Sequence, residues 1–134
     1  MKGFKGYISS RFNDGIFTHQ RVQNLVIREY VRKIGKVFLL SATEYYMDDS
    51  YLMLKSVLDE MDSMGGLVFY STHLLPKNKN YRNDILKKLL ENQVEVHFAL
   101  EEIALQHMGD IGIINDIFMA RELSAKLSFD MVKG

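Results

Sequence analysis

The sequence contains no cysteine, and that absence removes disulfides, thiolate zinc sites and cysteine nucleophiles together. It has no excess of either charge: 17 lysines and arginines balance 17 aspartates and glutamates. The basic residues are spread along the chain and form no block of the kind that holds nucleic acid through its phosphates. A net-neutral chain is not steered towards DNA by its overall field. No apolar run approaches the roughly 18 residues of a membrane helix, and the opening Met1-Lys2-Gly3-Phe4-Lys5-Gly6 lacks the apolar core of a signal peptide. These absences predict a cytoplasmic protein without a membrane span. Gly-rich phosphate loops are missing as well, because Gly3 and Gly6 precede the first apolar run instead of following it. The histidines at 19, 73, 97 and 107 show no metal-ligand spacing, so neither a metal nor a cofactor is expected.

What is present is alternation. Phe4 to Ile8 reads as a strand. Val22, Leu25, Val26, Tyr30 and Ile34 then recur at spacings of three and four, which predicts an amphipathic helix closed by Gly35. Val37-Phe38-Leu39-Leu40 reads as a strand covered on both faces and ends at Ser41-Ala42-Thr43-Glu44. Asp49 or Ser50 can cap a second helix, with Leu54, Val57, Leu58 and Met61 inward and Gly65-Gly66 as its stop. Leu67 to Tyr70 forms a third strand. The only proline, Pro76, lies in a connection from Leu74 to Asn80 that reads as an exposed loop. Ile85, Leu86, Leu89 and Leu90 mark a third helix ending near Asn92. Val94, Val96 and Phe98 alternate with Glu95 and His97, as in an edge strand with one wet face. From about Asp110 a terminal helix carries Ile113, Ile117, Ala120, Leu127 and Met131 near one stripe, with Ile114, Phe118 and Leu123 beside it.

This alternation predicts one domain over residues 1–134: a three-layer α/β sandwich around a mainly parallel four-stranded sheet, of order 2-1-3-4. The terminal helix either packs wholly on the sheet or meets a second subunit, so a homo-oligomer is expected among the partners. The order places the topological switch between the first and third strands, whose ends read Ser9-Ser10-Arg11 and Ser71-Thr72-His73. Hydroxyls beside a guanidinium fork suit a phosphate or carboxylate. Asn24 and Arg28, four apart on the first helix, and Ser41 and Glu44, at the end of the second strand, complete the candidate ligand-binding set. Ser10, Ser71 and His73 are the candidate catalytic groups, as hydroxyls and a general base. Glu101 and Glu102 end the fourth strand as a further carboxylate pair.

Gly6-Tyr7-Ile8-Ser9-Ser10-Arg11 and Leu67 to Pro76 resemble the first-strand and third-strand motifs of serine recombinase catalytic domains, of the resolvase and invertase type. Met108-Gly109-Asp110, running into the last helix, resembles that family's oligomerising helix. The resemblance implies a resolvase-like fold with a long terminal helix. The chemistry differs: ungapped alignment puts Ser9 at the family's first arginine and Arg11 at its nucleophilic serine, and a one-residue slip brings Ser10 to the nucleophile's place. His73 and Pro76 stand where two phosphate-clamping arginines would be, and proline has no donor to stabilise a transferring phosphoryl group. Both departures count against DNA strand exchange.

Gly6 to Arg11, Val22 to Tyr30 and Leu40 to Tyr45 are similar to the sporadic carbohydrate cluster proteins, which are associated with bacterial clusters for surface polysaccharide or lipopolysaccharide synthesis. That resemblance implies a small cytoplasmic protein acting in or supporting such synthesis, with a sugar phosphate or nucleotide sugar as ligand. The alternative is a non-catalytic oligomeric interaction domain on a recombinase-like fold.

Overall fold

The computed structural model describes residues 2–10, 18–45 and 51–133. Its strands are β1 (Phe4–Ser9), β2 (Phe38–Glu44), β3 (Gly66–Phe69), β4 (Glu95–Phe98) and β5 (Ile103–Leu105). The helices are α1 (Gln20–Lys33), α2 (Leu52–Leu58), α3 (Lys79–Glu91) and α4 (Ile111–Lys133). Among the described residues these strands form one sheet of order β2-β1-β3-β4-β5. β1 pairs in parallel with β2 and β3, and β3 with β4, while β5 returns antiparallel to β4.

Successive side chains of a strand point to opposite faces. Gly6 faces Ile27 of α1, whereas Tyr7 reaches Glu44 at the start of α2. The two helices therefore cover opposite faces, giving three layers. A Cβ at Gly6 would collide with Ser41 and Ile27, so the absence of a side chain there lets α1 sit close. On the other face Tyr7 meets Phe69 edge-on and Phe69 stacks on Phe98, with ring centroids 5.1 and 5.3 Å apart. Gly35 takes a left-handed φ of 71° just past α1 and ends it.

Four details depart from the pattern-based expectation. The sheet has a fifth strand, formed because Glu102, at φ 56°, turns the chain back after β4. β4 is consequently internal, and His97 is only 4% exposed where a wet face was expected. β2 is the edge strand that the order 2-1-3-4 makes it, but Leu40, expected to be covered on both faces, is 85% exposed at the irregularity between the Lys5 and Tyr7 pairings. Leu74, Leu75 and Pro76 are buried, so only residues 77–80 of that connection are exposed. The candidate caps Asp49 and Ser50 lie outside the described residues.

α4 divides along its length. Ile111 and Ile114 are buried and Ile117 and Phe118 pack against the core, but from Glu122 to Met131 every residue is exposed. No helix among the described residues is long and apolar enough to cross a membrane.

Candidate functional site

The parallel register Tyr7↔Phe69 brings the ends of β1 and β3 into step at the carboxyl edge. Ser9 is buried, and the Gln23 side chain clamps its backbone: Oε1 accepts from Ser9 N at 3.1 Å, and Nε2 donates to Ser9 O at 2.8 Å and to Thr18 O at 2.7 Å. Ser10 N donates to the Glu44 carbonyl at 2.9 Å, so β2 and β1 stay paired to this edge. Arg11 lies outside the described residues.

Beside them, one carboxylate gathers the end of β3. Glu101 Oε2 accepts from Ser71 Oγ at 2.8 Å, Thr72 N at 3.0 Å, Thr72 Oγ1 at 2.5 Å and Arg121 Nη2 at 3.3 Å. Arg121 Nη2 also donates to Thr72 Oγ1 at 2.5 Å. Glu101 Oε1 is buried without a hydrogen-bond partner. The Ser71 hydroxyl thus directs its proton at Glu101, and its oxygen accepts from the His73 backbone N–H at 3.2 Å.

Arg121 in turn lines a cavity of about 240 Å³ between the 73–77 segment and α4, with His73 and Lys77 around it and Leu75 and Phe118 as apolar wall. Three side chains able to carry positive charge therefore reach one cavity from two parts of the chain. Arg82 of α3 holds that geometry. Only 3% exposed, it donates to Pro76 O at 3.3 Å, Lys77 O at 3.0 Å and Asn115 Oδ1 at 2.9 Å, and its guanidinium lies 3.8 Å from the Phe118 ring centroid. Burial pulls this guanidinium below its ordinary value, with Glu122 acting in the opposite direction. Arginine keeps its charge at neutral pH even so.

A resolvase-family site-specific recombinase from Streptococcus pneumoniae matches the structure with a TM-score of 0.60, over 96% of this chain and 94% of that one, at 8% sequence identity. The chain has a resolvase-like fold. No family model matches it, and no curated protein is similar to it at a significant level.

Within this resolvase-like fold the remaining candidate residues take separate places. Glu44 is 5% exposed and faces inward: Tyr7 O–H donates to Oε2 at 2.9 Å, Met53 N to Oε1 at 3.1 Å and Leu54 N to Oε2 at 3.0 Å. It serves as a cap for α2, contributed from the end of β2. Burial, followed by the adjacent Glu44 carboxylate, holds the Tyr7 phenol well above its ordinary value. Ser41 packs against Gly6, with its Oγ buried and without a hydrogen-bond partner. Arg28 is exposed, its guanidinium 5.6 Å from the Phe38 ring, and Asn24 Oδ1 is buried without a hydrogen-bond partner. Of the described members of the candidate set, His73 alone lines the cavity. Glu102 pairs with Lys33 at 3.6 Å, away from Glu101.

Lys77 and Arg121 lie outside the sequence pattern, and Thr72 enters it only as the middle of the Ser71-Thr72-His73 strand end. Arg121 follows Phe118 by three residues and so shares its helix face, the one local sign that this arginine turns towards the body of the protein.

A second polar cluster runs beneath α1. Tyr30 O–H and His97 Nδ1 are 2.6 Å apart, His97 Nε2 lies 3.1 Å from Glu95 Oε1, and Gln106 Nε2 donates to the same oxygen at 3.1 Å. A neutral imidazole satisfies both bonds, accepting from Tyr30 and donating to Glu95. Burial pushes His97 below its ordinary 6.5, outweighing the Glu95 carboxylate, which acts upwards. Burial raises the Glu95 carboxyl, but hydrogen bonds from Gln106 and His97 and the charges of His97 and Lys36 outweigh it, leaving Glu95 below its ordinary 4.5. Both depressed values have the same sign: the unfolded chain binds more protons in these windows, so stability falls as pH drops below about 6.5 for His97 and below about 4.5 for Glu95. His97→Gln is expected to lower stability at neutral pH and to flatten the decline between pH 7 and pH 5. Urea unfolding across that range checks it; parallel wild-type and variant profiles would refute the assignment.

Proposed function

We propose that this chain, as one domain over residues 1–134, binds a phosphorylated small ligand at the carboxyl edge of its sheet, a sugar phosphate or nucleotide sugar. The observation that carries this reading is the convergence of His73, Lys77 and Arg121 on one cavity, with Arg121 braced by Glu101. A planar guanidinium supplies paired donors to a phosphate, and lysine a mobile point charge. Ser9 and Ser10 end the neighbouring strand on the same edge. The similarity of Gly6 to Arg11 and Val22 to Tyr30 to the sporadic carbohydrate cluster proteins supports a sugar as the rest of the ligand, and with it a cytoplasmic role in surface-carbohydrate synthesis.

Thermal unfolding with a panel of sugar phosphates and nucleotide sugars tests the reading. A ligand at about a hundred times its Kd adds roughly 2.7 kcal/mol, several degrees in a domain of this size. Arg121→Gln and Lys77→Gln should abolish the shift. No stabilisation of folded protein by any member of the panel would end it.

A second reading is self-association through the end of α4. Leu123, Leu127, Phe129 and Met131 are all more than half exposed there, a patch of the kind that marks an interaction surface. Leu127→Glu is expected to lower the solution mass measured by light scattering. A wild-type chain that stays monomeric at high concentration would exclude this reading.

A further inference from the structure

We infer that the ligand of the carboxyl-edge cavity is a phosphomonoester of monosaccharide size, its phosphate on Lys77 and Arg121, its ring against Leu75 and Phe118, and its hydroxyls donating to Glu122. This rests on the anion-binding reading above and selects between the ligand classes it leaves open.

Size is the first argument. The cavity holds about 240 Å³, whereas sites that enclose a drug-sized ligand run from about 300 to 1,000 Å³. A nucleotide sugar exceeds drug size, so its base or its sugar would hang outside. A single pyranose with one phosphate fits the smaller volume.

Charge is the second. Glu122 lines the same cavity as Lys77 and Arg121, so a carboxylate shares it with the cations. A phosphomonoester concentrates about two negative charges at one end, which Lys77 and Arg121 face, Arg121 being shared with Glu101. A second phosphate would bring more negative charge into a cavity that Glu122 also lines, whereas sugar hydroxyls can donate to that carboxylate. The apolar wall suits the C–H face of a sugar ring, and Phe118 is held in place there by the Arg82 guanidinium at 3.8 Å.

Calorimetric titration of the full chain with four probes tests this: a hexose monophosphate, a hexose bisphosphate, a uridine diphosphate hexose and inorganic phosphate. The monophosphate is expected to bind at least about tenfold more tightly than the other three, and Glu122→Gln to narrow the gap to the bisphosphate by about tenfold. Equal or tighter binding of the uridine diphosphate hexose, abolished by Arg121→Gln, would overturn the size assignment and leave the anion site standing. Inorganic phosphate binding as tightly as the monophosphate would overturn the sugar contact. Absence of binding by all four would overturn the anion site itself. The wild-type comparison decides the assignment even if a variant fails to fold.

Discussion

Glu44→Ala is expected to lower folding stability by about 3 kcal/mol, from about 1 to 3 for a buried hydroxyl left without its acceptor and about 1 for a lost helix cap. The hydroxyl is that of Tyr7, 1% exposed and bonded to Glu44 Oε2. The cap joins the carboxylate to Met53 N and Leu54 N. Glu44→Gln should cost less, because one carbonyl oxygen still accepts while the amide cannot. Tyr7→Phe placed on Glu44→Ala should recover part of the loss, since it removes the orphaned hydroxyl. Urea unfolding of the four proteins measures these differences. If Glu44 instead served a ligand, its removal would spare stability and abolish binding.

Arg82→Ala is expected to cost about 3 kcal/mol and to abolish ligand stabilisation at the cavity. The side chain supplies three hydrogen bonds, each worth on the order of 1 kcal/mol, and its stem and guanidinium fill space over Phe118. Two of its acceptors, Pro76 O and Lys77 O, belong to the segment that presents Lys77, and the third, on Asn115, belongs to α4. Losing the guanidinium therefore uncouples both walls of the cavity. Arg82→Lys should retain charge but not the three-way fork, and recover only part of the stability. A variant within about 0.5 kcal/mol of wild type would show that the segment is held by other contacts.

The layered fold was legible because it follows from local periodicity. Three- and four-residue spacing in α1 and α3, short apolar runs for the strands and Gly35 after α1 mark the alternating elements and hence the parallel layers, and the order β2-β1-β3-β4 is one that such doubly wound alternation adopts. β5 leaves no mark in the sequence pattern because three residues are too few to show a period. His97 looked wet because alternation reports only the polarity of a residue, whereas Tyr30 and Glu95 make a polar side chain satisfiable inside. Leu40 departs in the opposite sense: its apolar run predicts cover on both faces, but it stands exposed where the pairing of the edge strand β2 with β1 is irregular.

The site was legible only as a place. Strand ends at a switch point pointed to Ser9, Ser10, Ser71 and His73, and the structure puts these at one edge. Which side chains answer one another there depends on groups far apart in sequence. Ser71 and Glu101 are 30 positions apart, Thr72 and Arg121 are 49 apart, and both pairs are bonded through the same Glu101–Thr72–Arg121 group. Glu44, another strand-end carboxylate, turns inward to α2 because Tyr7 and two helix N–H groups await it. By itself the sequence determined the α/β class, the parallel core and the edge at which polar groups collect, because burial within an element is written in its period. Only the tertiary structure decided that Glu44 caps a helix and that Glu101 braces Arg121 at a cavity, because hydrogen bonds between elements are set by how the packed layers meet.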